Sequence, residues 1–350
     1  DEALRIAGVG ELRADQAARR ARGDHLLLGI GVSTYVEITA FASKEFGSVE
    51  VLADGTVTVL TGVSPQGQGH ETAMAQIASA ILGVPFETVR VVHSDSAVVP
   101  RGAGTWGSRS LQVGGSAVAE QSQAVVAKAR TLASHLLEVD EADLKEPLDG
   151  RFEVAGAPER AITWSELASA AEDPSRLPEA MEPGLAASGQ FRELESTFPF
   201  GAHVAVVEVD TQTGDARLVR HIAVDDCGRI LNPMLVDGQV HGGLAQGIAQ
   251  ALYEEFLYDE TGNPVSGNLA TYGMPAASEL PWFEIAHTET PTPLNPLGAK
   301  GIGEAATIGS TPAVQSAVID ALSHLGVRHI DLPLSPERVW RAIRDATDRP

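Results

Sequence analysis

One carboxylate, Glu304, lies inside the glycine-rich turn Gly298-Ala-Lys-Gly-Ile-Gly-Glu-Ala-Ala-Thr-Ile-Gly309, just after the proline-broken run Pro291-Thr-Pro-Leu-Asn-Pro296. Glycines let backbone N–H groups approach a ligand closely, so such a loop running into a helix suits an anionic group, and Lys300 adds a charge for it. Glu304 is the odd member. It reads either as a base beside an anion site or as a cap that complements the dipole of the following helix.

Two further loops have this character. Gln66-Gly-Gln-Gly-His-Glu-Thr72 precedes an apolar pattern, Ala73 to Leu82, that fits a helix closed by Gly83 and Pro85. Free N–H groups at such a junction suit phosphate, and Gln66 and Gln68 supply uncharged amide donors suited to oxo or pterin-type edges; the plainer alternative is a tight turn with a capping His. His70-Glu71 is not a zinc-protease pattern, because no second His lies four residues on. Arg101-Gly-Ala-Gly-Thr-Trp-Gly-Ser-Arg-Ser110 opens a long helical segment, Leu111 to Leu137. Ser108, Arg109 and Ser110 stand at its start, where an anion is welcome, unless the loop is simply solvated and ends in a serine cap.

The elements that must position these loops come in two similar sets. The first 24 residues read as a loop and a charged helix ending at Gly23, a docking segment, and His25 to Ile38 as a strand. Glu50 to Leu60 alternates around Asp54-Gly55, a hairpin signal. Val89 to His93 is a short strand. A second hairpin, His203 to Val209 and Ala216 to Val224, turns at Thr213-Gly214 and leads through Asp225-Asp-Cys-Gly-Arg-Ile-Leu-Asn-Pro233 to Gly238-Gln-Val-His-Gly-Gly243, which opens a helix to about Tyr253. Gly-Gln-x-His thus recurs at 67–70 and 238–241, and a glycine loop with a long helix at 104–137 and 298–325. A weak internal duplication, with two lobes facing one ligand, is the economical reading. Between them, residues 140–200 accumulate Asp, Glu and Pro. They read as an acidic insertion or connection with a capping box at Thr163-Trp-Ser-Glu166 and an exposed excursion from Pro174 to Gly189. Ser335-Pro336 starts a last helix whose Val339, Trp340 and Ile343 form a core face.

Composition narrows the function classes. The 350 residues are 43% hydrophobic, enough for substantial cores, and 47 acidic against 25 basic side chains leave a net charge of −22. That balance argues against a nucleic-acid or anionic-membrane surface, which needs clustered Lys and Arg. No apolar run approaches the roughly 18–20 residues that span a bilayer, and no secretory signal opens the sequence, so a cytoplasmic protein is expected. Beginning at Asp1 without an initiator Met, the chain reads as a piece of a longer polypeptide or a processed subunit. Its single cysteine, Cys227, excludes an internal disulfide and a Cys₄ cluster built by this chain alone, and reads as a small buried residue. The histidines make no ligand cluster, and no Gly-Lys-Ser/Thr follows a glycine loop, which discourages a phosphate-loop ATPase.

Taken together, Gln66–Thr72, Gly104-Thr-Trp-Gly-Ser-Arg-Ser110, Asp225-Asp-Cys-Gly228 with Asn232-Pro233, Gly238–Gly243 and Gly298–Glu304 resemble the molybdopterin-binding large subunit of the xanthine dehydrogenase and aldehyde oxidase family, closest to the aerobic carbon monoxide dehydrogenase branch. The resemblance covers almost the whole chain but only the C-terminal half of the family's subunit. It implies molybdenum on a pterin dithiolene, as the molybdopterin cytosine dinucleotide, with no protein ligand to the metal. Carried over residue by residue, Gln66, Gly67, Gln68, Gly69 and His70 would contact the pterin region. Thr105, Gly107, Ser108, Arg109, Ser110, Asn232, Gln239, Lys300, Gly301 and Gly303 would bind the rest of the cofactor. Glu304 matches the catalytic glutamate, a general base for inserting water-derived oxygen into an aldehyde, an N-heterocycle or CO, a task it would suit if burial holds its pKa close to operating pH. In the carbon monoxide branch the metal centre includes copper on a cysteine of the missing half, a position that Cys227 does not match. Iron–sulfur and FAD groups are implied on partner chains, as is a companion carrying the N-terminal half. Trp106 is the nearby aromatic that could line the substrate pocket.

The expected architecture is therefore α+β, with two intertwined lobes of mixed sheet and helices: a docking segment at 1–24, a first lobe at 25–139, the acidic connection at 140–200 and a second lobe with the Glu304 loop at 201–350. The alternative is a non-catalytic partner-binding or assembly module that carries no cofactor by itself.

Overall fold

The computed structural model describes residues 1–41, 43–192 and 194–347. In chain order the elements are α1 (Glu2–Ala7), α2 (Val9–Arg22), β1 (Leu26–Val36), β2 (Lys44–Val51), β3 (Val57–Thr61), α3 (His70–Leu82), β4 (Val89–Val92), α4 (Ser116–Leu137), β5 (Arg151–Val154), β6 (Ala157–Thr163), α5 (Trp164–Ala171), β7 (Leu185–Arg192), β8 (Phe200–Asp210), β9 (Ala216–Asp226), α6 (Pro233–Leu252), β10 (Phe283–Thr288), α7 (Ala305–Leu322) and α8 (Pro336–Thr347). Among the described residues no helix is long and apolar enough to cross a membrane.

Two four-stranded sheets carry the fold, in the orders β4-β3-β2-β7 and β10-β9-β8-β1. They have the same plan. In each, a hairpin (β2–β3 or β8–β9) pairs antiparallel, a later strand joins parallel to its second member, and a strand from elsewhere in the chain closes the other side antiparallel. The closing strands cross over: β1 joins the second sheet, while β7 joins the first. The lobes are intertwined in this concrete sense, and their boundaries differ from the sequence expectation of 25–139 and 201–350.

Each sheet carries a long helix that leads back to a glycine loop. The second sheet receives α7 against β1 because Gly29 and Gly31 present no side chain: a Cβ there would collide with the carbonyls of Ala317 and Ala313. The corresponding contact in the first sheet is looser, with a Cβ on Gly47 of β2 meeting Ala117 of α4 at 2.9 Å. These close approaches set where the helix starts lie, and hence where Ser108 and Glu304 lie.

Residues 140–200 are not a surface insertion. Phe152, Trp164 and Leu167 are fully buried in the first core with Val49, Val57, Ile77 and Leu132, and the Trp164 indole donates to the Leu82 carbonyl at 2.8 Å. Their acidic and proline residues occupy turns and exposed positions around this apolar minority, which burial makes decisive at roughly 1.5–3 kcal/mol per large side chain. The capping box at Thr163 and Glu166 forms as expected. The expected excursion from Pro174 to Gly189 ends in β7, an integral strand. At the N-terminus, α1 and α2 pack on this chain's own second sheet, where Arg13, Gln16 and the Ile30 N–H converge on one oxygen of Asp320 at 2.7–2.9 Å. In α8, Val339 and Ile343 are core but Trp340 is 40% exposed, lying against Arg344 and over the turn at Gly214.

Candidate functional site

The glycine loops of the two lobes meet face to face across a cavity of about 270 Å³. Its walls include Gln66, Gln68, His70, Thr105, Trp106, Gly107, Ser108, Ser110, Cys227, Asn232, Gln239, Lys300, Gly301, Gly303 and Glu304. Most of the donors are neutral amides and hydroxyls. The contact between the loops is tight: a Cβ on Gly301 would strike the Ser108 carbonyl, and one on Gly303 would lie 3.3 Å from the Ser108 hydroxyl.

The first wall is the start of α3. Gly67 and Gly69 do not line the cavity themselves; with φ of 105° and 75° they turn the backbone so that Gln66, Gln68 and His70 do. His70 is the first residue of the helix and is buried. Burial, helped by the neighbouring His93, pushes its pKa down to about 4, so it is a neutral imidazole, and its Nδ1 has no hydrogen-bond partner among the described residues.

The second wall is the 104–110 loop. It enters α4 through a π-helical stretch, Ser110–Gly115, that the helical spacing did not distinguish from an ordinary α-helix. Arg109, expected at the ligand, points elsewhere. Its side chain is fully buried, 2.6 Å from Glu45, and also donates to the carbonyls of Gly104 and Lys44. The reason is the uncompensated Glu45 carboxylate in the core, which a guanidinium neutralises while tying the loop to β2. Thr105 and Ser110 share a 2.9 Å hydrogen bond at the cavity edge, and Trp106 stacks on Phe41 with centroids 6.0 Å apart.

The third wall belongs to the second lobe. Helix α6 begins at Pro233, earlier than the expected 238, because Asn232 caps it by accepting from the Leu235 N–H. The Asn232 amide also donates to Gln76 of α3 at 3.0 Å, joining the two lobes. Gln239 therefore sits in the second turn of the helix. Lys300 lines the cavity but is 3.1 Å from buried Asp226. Burial works to raise the Asp226 carboxyl, yet hydrogen bonds from the Gly228 N–H, Thr290, Lys300 and Thr288 outweigh it and hold the pKa below the ordinary range. Cys227 is buried, and burial first, then the two neighbouring aspartates, pushes its thiol up to about 12, which suits a small packing residue.

Glu304 stands at the N-cap position of α7, but its side chain makes no capping hydrogen bond. Its Oε2 accepts from the Ser108 hydroxyl at 2.5 Å, and its backbone N–H donates to the same oxygen at 3.1 Å. The sequence reading wanted burial around this carboxylate, but within this chain it is exposed. Sequence reasoning missed Glu37, just beyond β1, whose Oε1 lies 3.4 Å from Ser108 Oγ. It also missed a buried polar cluster behind α7, in which Asp225 accepts from Tyr35 at 2.6 Å and meets His203 at 3.0 Å. The alternation of β1 would place Tyr35 and Glu37 on one face.

A family model described as the molybdopterin cofactor-binding domain matches residues 2–281. The chain belongs to that family. It is 40% identical to the carbon monoxide dehydrogenase large chain of Hydrogenophaga pseudoflava over 95% of this chain and 43% of that protein. It is 36% identical to the nicotine 6-hydroxylase large subunit of Paenarthrobacter nicotinovorans, over 96% and 42%. The crystal structure of quinoline 2-oxidoreductase from Pseudomonas putida 86 superposes with a TM-score of 0.91 at 36% identity, covering 99% of this chain and 45% of that one. The chain thus spans less than half the length of the relatives it matches. The α+β fold of this family is the one observed, and the cavity lies where its two lobes meet.

Proposed function

We propose that the chain is the cofactor-holding portion of a cytoplasmic molybdenum hydroxylase and that the cavity between the lobes takes a molybdopterin cytosine dinucleotide. The observation that carries this reading is the convergence of neutral donors from both lobes on one cavity that also holds Glu304. The donor set fits the group. Uncharged amides and hydroxyls suit pterin and nucleotide edges, and the buried Nδ1 of His70 has no hydrogen-bond partner among the described residues and is free to meet one. Arg109 and the charge of Lys300 are committed to Glu45 and Asp226, so phosphates would be met by backbone N–H groups and hydroxyls, with Arg229 the cavity-lining cation left to add charge.

The cofactor, when bound, supplies the two-electron oxidation of a small substrate, with CO and N-heterocycles suggested by the names of the relatives. This chain's residues do the rest. Gln66, Gln68, Thr105, Ser110 and Gln239 orient the group, and Ser108 fixes the Glu304 carboxylate by its hydroxyl. Glu304 accepts the proton released by the attacking water. Cover for the exposed Glu304 would come from a companion segment carrying the remaining length of the relatives, and electrons would leave through iron–sulfur and FAD partners, since one buried cysteine builds no cluster.

Molybdenum, phosphorus and cytosine-nucleotide analysis of the purified complex containing this chain tests the reading. One metal and one nucleotide per chain are expected. A well-folded assembled complex with neither would favour a partner-binding module instead.

A further inference from the structure

The serine that holds Glu304 also touches a second carboxylate. Ser108 Oγ lies 2.5 Å from Oε2 of Glu304 and 3.4 Å from Oε1 of Glu37, and it receives the Glu304 N–H as well. Ser108 is set in this position by a left-handed backbone, φ 54°, against which Gly301 packs. A hydroxyl has one proton to give and two lone pairs to accept with. If both carboxylates were ionised, they would compete for that proton, and Oε2 of Glu37, buried and without a partner among the described residues, would carry charge with nothing there to balance it. One extra proton resolves the conflict: Glu37 donates to Ser108, and Ser108 donates to Glu304.

We propose that Glu37, Ser108 and Glu304 form a directed chain of donors in which Glu37 holds the pair's shared proton and Glu304 is left as the acceptor. Glu37 is a positioning residue that acts through Ser108. The surroundings favour this. Burial first, and then the facing charge of Glu304, push the Glu37 carboxyl up to about 7, against the opposing effect of the Ser108 hydrogen bond. Among the described residues the groups around it offer no free cation: Tyr35, two residues back, gives its hydroxyl to Asp225, Lys300 of the opposite loop is paired with Asp226, and the Pro199 carbonyl takes the Glu37 N–H. The inference rests on the proposed role of Glu304 only for its consequence in turnover. The shared proton itself is a property of this chain.

Infrared pH-difference spectra of the full chain read it directly. The wild type should keep a protonated-carboxyl carbonyl band through the ordinary carboxylate range and lose it with a midpoint near 7. Glu37→Gln should abolish the band, and Glu304→Gln should lower its midpoint by on the order of one pH unit, because a facing like charge is removed. In the assembled enzyme, the proposal expects kcat to fall as Glu37 ionises in the wild type and expects that fall to be missing from Glu37→Gln. If that variant does not fold, the wild type and Glu304→Gln suffice. Absence of the band in the wild type, its survival in Glu37→Gln, or an unmoved midpoint in Glu304→Gln overturns the proposal. An intact band in a complex that binds no cofactor contradicts the proposed function and not the pair; a missing band in a fully loaded enzyme does the reverse.

Discussion

The two lobes share a plan down to the order and sense of their strands, yet their glycine loops end differently. In the first lobe the loop closes on Arg109, drawn into the core by Glu45; in the second it closes on Glu304, which stays at the surface of the cavity. Each loop has a buried ion pair as its anchor, Arg109–Glu45 at 2.6 Å and Lys300–Asp226 at 3.1 Å. A duplicated scaffold therefore supplies two anchored loops, and the difference between them is which lobe presents a carboxylate. The first lobe contributes the hydroxyl that orients it.

The anchors should differ in weight. Arg109→Met leaves Glu45 buried with only the N–H groups of Phe46 and Ala103, and loss of one partner of such a pair costs about 3–5 kcal/mol, readable by urea denaturation. Lys300→Met should cost less, about 1.5–3 kcal/mol, because Asp226 keeps the Gly228 N–H and the hydroxyls of Thr288 and Thr290. The opposite order would break the comparison, showing that the second lobe's loop depends on its cation more than the first.

The interface between the loops gives a sharper contrast. Gly301→Ala would drive a methyl into the Ser108 backbone, an overpacking expected to cost about 1–3 kcal/mol and to open the cavity. Gly303→Ala meets nothing nearer than the Ser108 hydroxyl at 3.3 Å and the Gln239 amide oxygen at 3.6 Å, so a smaller loss is expected. Thermal unfolding and molybdenum content of the two variants in parallel would separate them.

A contrast of a different kind concerns pH. The Glu37 carboxyl is raised from 4.5 to about 7 on folding, so its contribution to stability is fully present below 4.5 and is lost as pH rises through 7. The Tm of Glu37→Gln relative to the wild type should therefore climb across that window and level off above it. A flat difference would show that Glu37 ionises as freely in the folded state as in the unfolded one.

Much of this was legible in the sequence because local signals and tertiary outcome agree. Asp54-Gly55 turned the first hairpin, Gly83 and Gly23 ended their helices, and the repeated Gly-Gln-x-His pointed to the duplicated plan. The glycine loops named the cavity walls, since glycine, amide and hydroxyl residues clustered at helix starts have few other uses. What the sequence concealed was nonlocal. The exchange of β1 and β7 between sheets depends on strands more than a hundred residues from their partners, and no local pattern records it. The acidic bias of 140–200 hid the few apolar residues that mattered. Arg109 looked like a ligand-binding cation because Glu45, its partner, is 64 residues away, and Glu37 escaped notice because its significance comes from Ser108 and Glu304 on other elements.

The central claim is that Glu304 serves as the base in a cavity built by both lobes. Turnover of Glu304→Gln in the assembled enzyme, measured beside its molybdenum and nucleotide content, tests it most directly. The account predicts unchanged cofactor content and a rate lowered by about 10²–10⁴, the usual cost of removing a general base. Near-normal turnover with a full complement of cofactor would contradict it.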